Sequence, residues 1–377
     1  MLSGCRILDA TDRLGWLAGR VLADLGAEVT KVEAPGADIA QAEWRALNVN
    51  KALIELDLER AADREQFDAL AAKSDILLAT PAPGSAGAKC FDYTRLAALN
   101  PGLVVVAITP FGLSGPKAKW RASDIEIMAA SGAMSLAGEA DGTPLRVSAP
   151  QSYAWTGAQA AIGALVALHH RAAGGRGQLV DVSAQAAVTT ALAHAPAFVT
   201  VTGTTPTRAG AYITGRSVTG ARFRVFWPCR DGYINFILYG GVAGRRTNEQ
   251  LVAWMRESGT ELGTLAEIDW RKWDPTGVTQ EEVDAIETPI ARFFAGMSKR
   301  EFLEEGHRRE MLGYPVANVA DTATDPQLAA RGFWQDVAGT EGRLERHCGA
   351  FAIVDGVRAA LRPGGAAGVL ARQGKRA

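Results

Sequence analysis

Short, largely apolar runs alternate with helical segments through the first half of the chain, and that alternation admits few folds. Residues 6–10 (RILDA) form one such run. Residues 14–25 then place Leu14, Leu17, Ala18, Val21, Leu22 and Leu25 at helical spacing, with Gly26 where a C-cap glycine belongs. Residues 29–32 give a second strand, closed by Glu33 and the turn Ala34–Pro35–Gly36. Further strands are expected at 52–58, 76–79, 103–109 and 179–183, and helices at 64–73, 93–99, 124–130, 155–171 and 184–194. Strands without polar alternation, each followed by a helix, predict a parallel sheet covered on both faces. The fold class is therefore α/β. Strand, helix, strand and a terminal acid is how a Rossmann-like half begins, yet the GxGxxG fingerprint is missing, since only Gly15 and Gly19 stand near the first turn. The Ala- and Gly-rich composition of helix 155–171 predicts close packing on both of its sides.

The pattern changes after Pro196. Residues 199–220 are rich in Thr, Gly and Arg and read as a linker. Residues 223–238 alternate around Arg230–Asp231–Gly232, a hairpin-turn signal. Residues 248–310 are amphipathic and charged, with Trp254, Trp270 and Trp273. Residues 350–354 read as a short returning strand, followed by a basic, Gly-rich tail. The expected organisation is a large domain over 1–198, a linker over 199–220, a small α+β domain over 221–312, and a linker with return over 313–377.

Charge narrows the partners. Lys+Arg 40 against Asp+Glu 41 gives a net charge of −1, which offers no general field for nucleic acid or an anionic membrane. Cys5, Cys90, Cys229 and Cys348 form no CxxC pair, so neither a metal site nor a disulfide framework is expected. The most apolar helix is closed by His169, His170 and Arg171, too short for a span. The start of the chain has no signal-peptide pattern, and a cytoplasmic location is expected.

No nucleophile elbow, zinc-protease or P-loop motif occurs. Ser123–Asp124–Ile125–Glu126 fits a capping box, which gives Asp124 a first-turn place at a helix N-terminus. Asp141 lies in the turn Gly138–Pro144. Gly215–Gly220, and Gly240–Gly241 with Gly244, are stretches able to offer N–H groups to an oxyanion or to form ordinary turns. Lys117, Lys119 and Arg121 read as a solvated basic loop.

The segments ILDATDRLGWLAGRVLADLGAEVTKVEAPG, NVNKALIELDL, LAALNPGLVVVAITPFGLSGP, SDIEIMAASGAMSLAGEADGTPLRV, GALVALHHRAAGGRGQLVDVS and YPVANVADTATDPQLAARGFW carry a resemblance. In this order they resemble successive motifs of the class III coenzyme A transferases, across nearly the whole chain. The resemblance implies a Rossmann-like large domain built from both chain ends, a smaller domain, and two interlocked subunits. It also implies coenzyme A as the carrier, in acyl-CoA substrates exchanged with small carboxylic acids, and no metal. In that family an aspartate attacks the thioester to give a mixed anhydride, and CoA thiolate then gives an enzyme-bound thioester. The aspartate stands three residues before a Thr-Gly pair. Here the pair is Thr156–Gly157, and the aspartate's place holds Tyr153, a phenol with an ordinary pKa near 10.

Other departures accompany this one. Ala34 replaces an arginine of the family, the glycine-rich shielding loop falls on the glycine-poor Gly215–Gly220, and Ala79–Gly84 replaces the ENFxPG stretch. By similarity, a CoA nucleotide lies along Leu56, Asp57, Leu58, Thr80, Pro81, Lys89 and Thr109. The related α-methylacyl-CoA racemases use a His where Ser123 stands, and a second acid at the Tyr153 position, so their acid–base pair is missing. The branch that activates benzylsuccinate is built from two related chains, one of them without the aspartate. The resemblance thus implies a subunit of a heteromeric acyl-CoA:carboxylate CoA-transferase whose aspartate-bearing partner supplies the nucleophile. The alternatives are a CoA-transferase acting alone through Asp124 or Asp141, a racemase-like enzyme, and a CoA-binding scaffold without chemistry.

Overall fold

The computed structural model describes residues 1–84, 86–213, 221–339 and 343–364. They form two compact units. The first comprises Met1–Met134, Arg146–Pro206 and the segment from Asp325; the second comprises Ser135–Leu145 and Thr207–Thr324.

In the first unit the chain runs β1 (Arg6–Ala10), α1 (Trp16–Asp24), β2 (Glu28–Glu33), α2 (Ala42–Asn48), β3 (Ala52–Glu55), α3 (Ala61–Ala71), β4 (Ile76–Ala79), α4 (Tyr93–Leu99), β5 (Val104–Thr109) and α5 (Asp124–Ala130). It continues with α6 (Ser152–Gly174), β6 (Leu179–Ser183), α7 (Ala184–Ala191) and α8 (His194–Thr202). All six strands are parallel, in the order β3-β2-β1-β4-β5-β6. That is the order of the doubly wound Rossmann sheet, and its direction of travel reverses between β1 and β4. The apolar runs are apolar because helices cover both faces. Ile7, Ile76, Val104 and Val106 pack on one side with Leu22 and Ala160, while Leu8, Leu77 and Val105 pack on the other with Phe67 and Leu96.

The second unit holds β7 (Tyr212–Ile213), β8 (Phe223–Arg224), β9 (Phe226–Cys229), β10 (Gly232–Asn235), α9 (Gly241–Glu257), α10 (Gln280–Ala295), α11 (Lys299–Arg308), β11 (Tyr314–Pro315) and α12 (Val319–Ala323). The hairpin β9–β10 turns at Arg230–Asp231, where the Asp-Gly signal stood. Its core is aromatic: Phe294 stands edge-on to Trp227, Phe236 and Phe302. After Asp325 the chain adds α13 (Pro326–Ala330), β12 (Trp334–Ala338) and β13 (Leu344–Cys348) to the first unit.

Three expectations change. Residues 350–354 form no strand: Phe351 and Val354 are exposed, and the antiparallel pair is β12–β13 instead. Alternating polar side chains along that pair, with Asp336 opposite Arg346, hid it from an apolar-run reading. The stretch read as a linker begins inside α8, which reaches Thr202, and includes β7. Helix α6 buries Ala160, Ala161, Ala164 and Ala167 but leaves Ile162 and Val166 more than half exposed, so among the described residues that face is not covered.

Candidate functional site

Ligands of open parallel sheets bind outside the C-terminal strand ends, where the strand order reverses. Here that point is the β1–α1 turn beside the end of β4. Asp12 N–H donates to Thr80 Oγ1 across the crevice at 2.7 Å. The Asp12 carboxylate accepts from Leu14 N–H, and its pKa is raised by burial.

Asp124 and Tyr153 meet close to this turn. The capping box at the start of α5 is present, with Ser123 and Glu126 bonded reciprocally. Asp124, the first residue of α5, turns its carboxylate to the start of α6. Its Oδ1 accepts from Ser152 N–H at 2.9 Å and Ser152 Oγ at 2.8 Å. In return Asp124 N–H donates to the Tyr153 hydroxyl at 3.1 Å. The two helices thus cap one another, each satisfying an orphan donor of its neighbour. Arg13 lays its guanidinium 5.7 Å from the centroid of the Tyr153 ring and pairs with Glu43 of α2. Burial raises the Tyr153 pKa above its ordinary value, so the phenol stays protonated at neutral pH.

Beneath the turn lies a buried ionic network that the sequence reading did not single out. Lys51 Nζ donates to Asp9 Oδ2, Trp16 C=O and Asn48 Oδ1, each at 2.8 Å. Lys31 Nζ donates to Thr11 C=O at 2.7 Å and Val32 C=O at 2.8 Å, with Glu33 at 3.1 Å. Glu33 in turn accepts from Trp44 Nε1. Burial pushes the Lys51 pKa down to about 8 against the pull of Asp9. Burial also works against the Asp9 anion, but Lys51 and Lys31 outweigh it and hold its pKa below the usual carboxylate range. The signal in the sequence was a lysine inside an apolar strand, VTKVE, and another between Asn50 and Ala52.

The expected nucleotide contacts lie along the C-terminal edge of the sheet. Leu56, Asp57 and Leu58 follow β3, Thr80 and Pro81 follow β4, and Thr109 ends β5. Leu58 lies beside Gly87 of the short turn Ala86–Phe91, which carries Lys89. Lys89 lines a pocket of about 340 Å³ with Arg64, Arg95, Glu65 and Asp68. Thr109 is buried, its hydroxyl accepting from Gly112 N–H, and Leu56 is buried too. Asp141 belongs to the second unit, in an exposed turn closed by Gly142 N–H to Glu139 C=O. Gly240 caps α9 without a side-chain bond and, with Gly244 and Tyr239, lines a pocket of about 370 Å³. Gly215–Gly220 lies outside the described residues. Among the described residues no cluster of metal-ligating side chains occurs, and no helix is long and apolar enough to cross a membrane.

The family model for CoA-transferase family III matches residues 2–363. The subunit BbsE of succinyl-CoA:(R)-benzylsuccinate CoA-transferase of Thauera aromatica is 33% identical over 349 residues, covering 88% of this chain and 82% of that protein. Formyl-CoA:oxalate CoA-transferase of Streptomyces avermitilis is 36% identical over 199 residues, half of this chain and 48% of that one. The crystal structure of a CAIB/BAIF family protein from Brucella suis superposes with a TM-score of 0.80 at 25% identity, covering 94% of this chain and 93% of that chain.

Proposed function

The chain belongs to CoA-transferase family III, and on that premise we propose that it is the non-nucleophilic subunit of a heteromeric acyl-CoA:carboxylate CoA-transferase. The observation that carries the reading is the mutual capping of Asp124 and Tyr153. The position that resemblance gives to the nucleophile holds a phenol, and that phenol accepts a helix N–H. The carboxylate beside it is engaged in holding Ser152. Neither group is disposed to attack a thioester. A related chain bearing the aspartate supplies the attack, the mixed anhydride and the acyl-exchange steps. This chain contributes the fold, and its sheet edge at Leu56, Asp57, Leu58, Thr80, Pro81, Lys89 and Thr109 is assigned to the CoA nucleotide. Two features support a partner chain: the name of the Thauera relative, a subunit, and the exposed Ile162 and Val166 of α6 together with an α8 that buries none of its side chains.

The test is coexpression with an aspartate-bearing homologue, followed by native mass spectrometry and a succinyl-CoA exchange assay over a panel of carboxylic acids. The expected result is a mixed complex, with transfer only in the mixture. Removing the partner's aspartate should lower turnover by several orders of magnitude, while Tyr153→Phe changes it less than threefold. Sustained transfer by this chain alone would overturn the reading.

A further inference from the structure

Two ammonium groups with almost no exposure to water stand under one turn. Lys31 and Lys51 are 1% exposed each; Lys51 pairs with the fully buried Asp9, and Lys31 pairs with Glu33. A buried ion pair contributes little net stability, because desolvation of both ions offsets their attraction, and apolar replacement is often neutral or better. Two in the same layer call for a role beyond stability. Their bonds indicate which. Lys31 holds the carbonyl of Thr11 and Lys51 holds the carbonyl of Trp16, so the pair grips the β1–α1 turn at its two ends. Asp9 Oδ1 takes both Thr11 N–H, at 3.1 Å, and Thr11 Oγ, at 2.6 Å. Asn48 fixes Lys51 from α2. The packing is built around the charges: a Cβ on Gly19 of α1 would stand 2.1 Å from Asp9 Oδ2 and 2.9 Å from Lys51 Nζ.

We infer that Lys31 and Lys51 are positioning residues, a two-point clamp that holds the 11–16 turn in the shape in which the crevice between β1 and β4 receives the CoA thioester. The inference rests on the acyl-CoA reading of this unit. The clamped turn is the one that bonds to Thr80 across the strand-order reversal and carries Arg13 to Tyr153. An ammonium suits the task because one nitrogen bonds three acceptors from three directions, here β1, α1 and α2.

The test uses the full chain and three variants: Lys51→Met, the double variant Asp9→Asn/Lys51→Met, and Lys31→Met. Lys51→Met leaves a buried carboxylate unpaired and should lower the melting temperature markedly. The double variant removes both charges, keeps an amide oxygen for the two Thr11 bonds, and should recover most of that loss. Despite the recovery, amide hydrogen exchange across residues 11–16 should quicken at least tenfold, and Kd for coenzyme A by calorimetry should rise at least tenfold. A recovered melting temperature with unchanged exchange in the turn would overturn the clamp. Faster exchange in a protein whose unmodified form binds no coenzyme A would uphold the clamp and remove the acyl-CoA reading. Should the double variant not fold, Lys31→Met reads the same exchange at the Thr11 end, where no change would again overturn the inference.

Discussion

Asp124 has the position of a nucleophile and the geometry of a helix cap, and a substitution separates the two roles. Both hydrogen bonds of its carboxylate come from Ser152, and the residue is 8% exposed. Asp124→Ala therefore removes a cap and should cost roughly 1 kcal/mol, more if Ser152 is left buried without a partner. Thermal melts of the full chain check this, with transfer activity of the reconstituted complex measured on the folded fraction. The expected outcome is a lower melting temperature with activity kept within a few-fold. Activity lost by orders of magnitude at an unchanged melting temperature would make Asp124 the attacking group. At this scale the sequence was partly legible. A capping box is local, four residues long, and so Ser123 and Glu126 could be read directly. The reciprocal bond from Asp124 to Ser152 spans 28 residues, and the Lys51–Asp9 pair spans 42; no local pattern records either.

Elements were legible where periodicity and burial agree. Strand β5 and helices α4 and α5 lie where the apolar pattern places them, and β5 is buried along its whole length. The missed pair β12–β13 has a physical cause. β12 and β13 pair through the backbone while polar and apolar side chains are mixed along them and only Val337 is buried, so no apolar run marks them. Close approach between helices was legible in composition alone. A Cβ at Gly157 of α6 would stand 2.7 Å from Leu17 Cβ and 3.1 Å from Ala18 N of α1. Gly157→Ala should therefore destabilise the first unit by about 1–3 kcal/mol, despite the better helix propensity of alanine. A denaturant melt shows it as a lower midpoint at unchanged slope; an unchanged or higher midpoint would mean that α1 yields. In the second unit, Glu287 of α10 is 7% exposed and accepts from Arg224 N–H of β8, yet burial raises its pKa to about 7. The unfolded chain releases this proton near pH 4.5 and the folded chain near 7, so between them the folded state binds more protons and stability falls as pH rises. The shift corresponds to roughly 3 kcal/mol, fully present below pH 4.5 and lost above pH 7. Tryptophan-monitored urea melts of the full chain should show this decline, and Glu287→Gln should flatten it. An equal decline in the variant would assign the titration elsewhere.

At the scale of the whole molecule, the first unit is sewn shut by chain that arrives more than 300 residues after it began. Arg362 donates through its backbone N–H at 3.2 Å and Nε at 2.9 Å to Asn50 Oδ1, and through Nη2 at 3.1 Å to Ala27 C=O. Cys348 C=O accepts from Arg20, a 5% exposed guanidinium already paired with Asp24. Arg45 of α2 pairs with Glu345 of β13. Residue periodicity could not reveal this closure, since every contact joins segments that are unremarkable alone; only the family resemblance implied it. The closure has a consequence for cutting the chain. Ending it after Thr324 takes a hydrogen-bond acceptor from a buried arginine and uncovers Leu25 and the α1–α2 edge, a change costing several kcal/mol against a stability typically of about 5–15. The truncated chain should lose the cooperative melt of the first unit while the second unit, which lies wholly within residues 135–324, keeps its own. Far-ultraviolet melts together with limited proteolysis separate the two, with cleavage expected first within residues 1–60. Supplying residues 325–364 as a separate peptide should restore protection there, because the hydrogen bonds of Arg362, Cys348 and Glu345 need proximity and not chain continuity. A truncated chain that melts as sharply and as high as the full one would show that the returning segment covers the first unit without holding it.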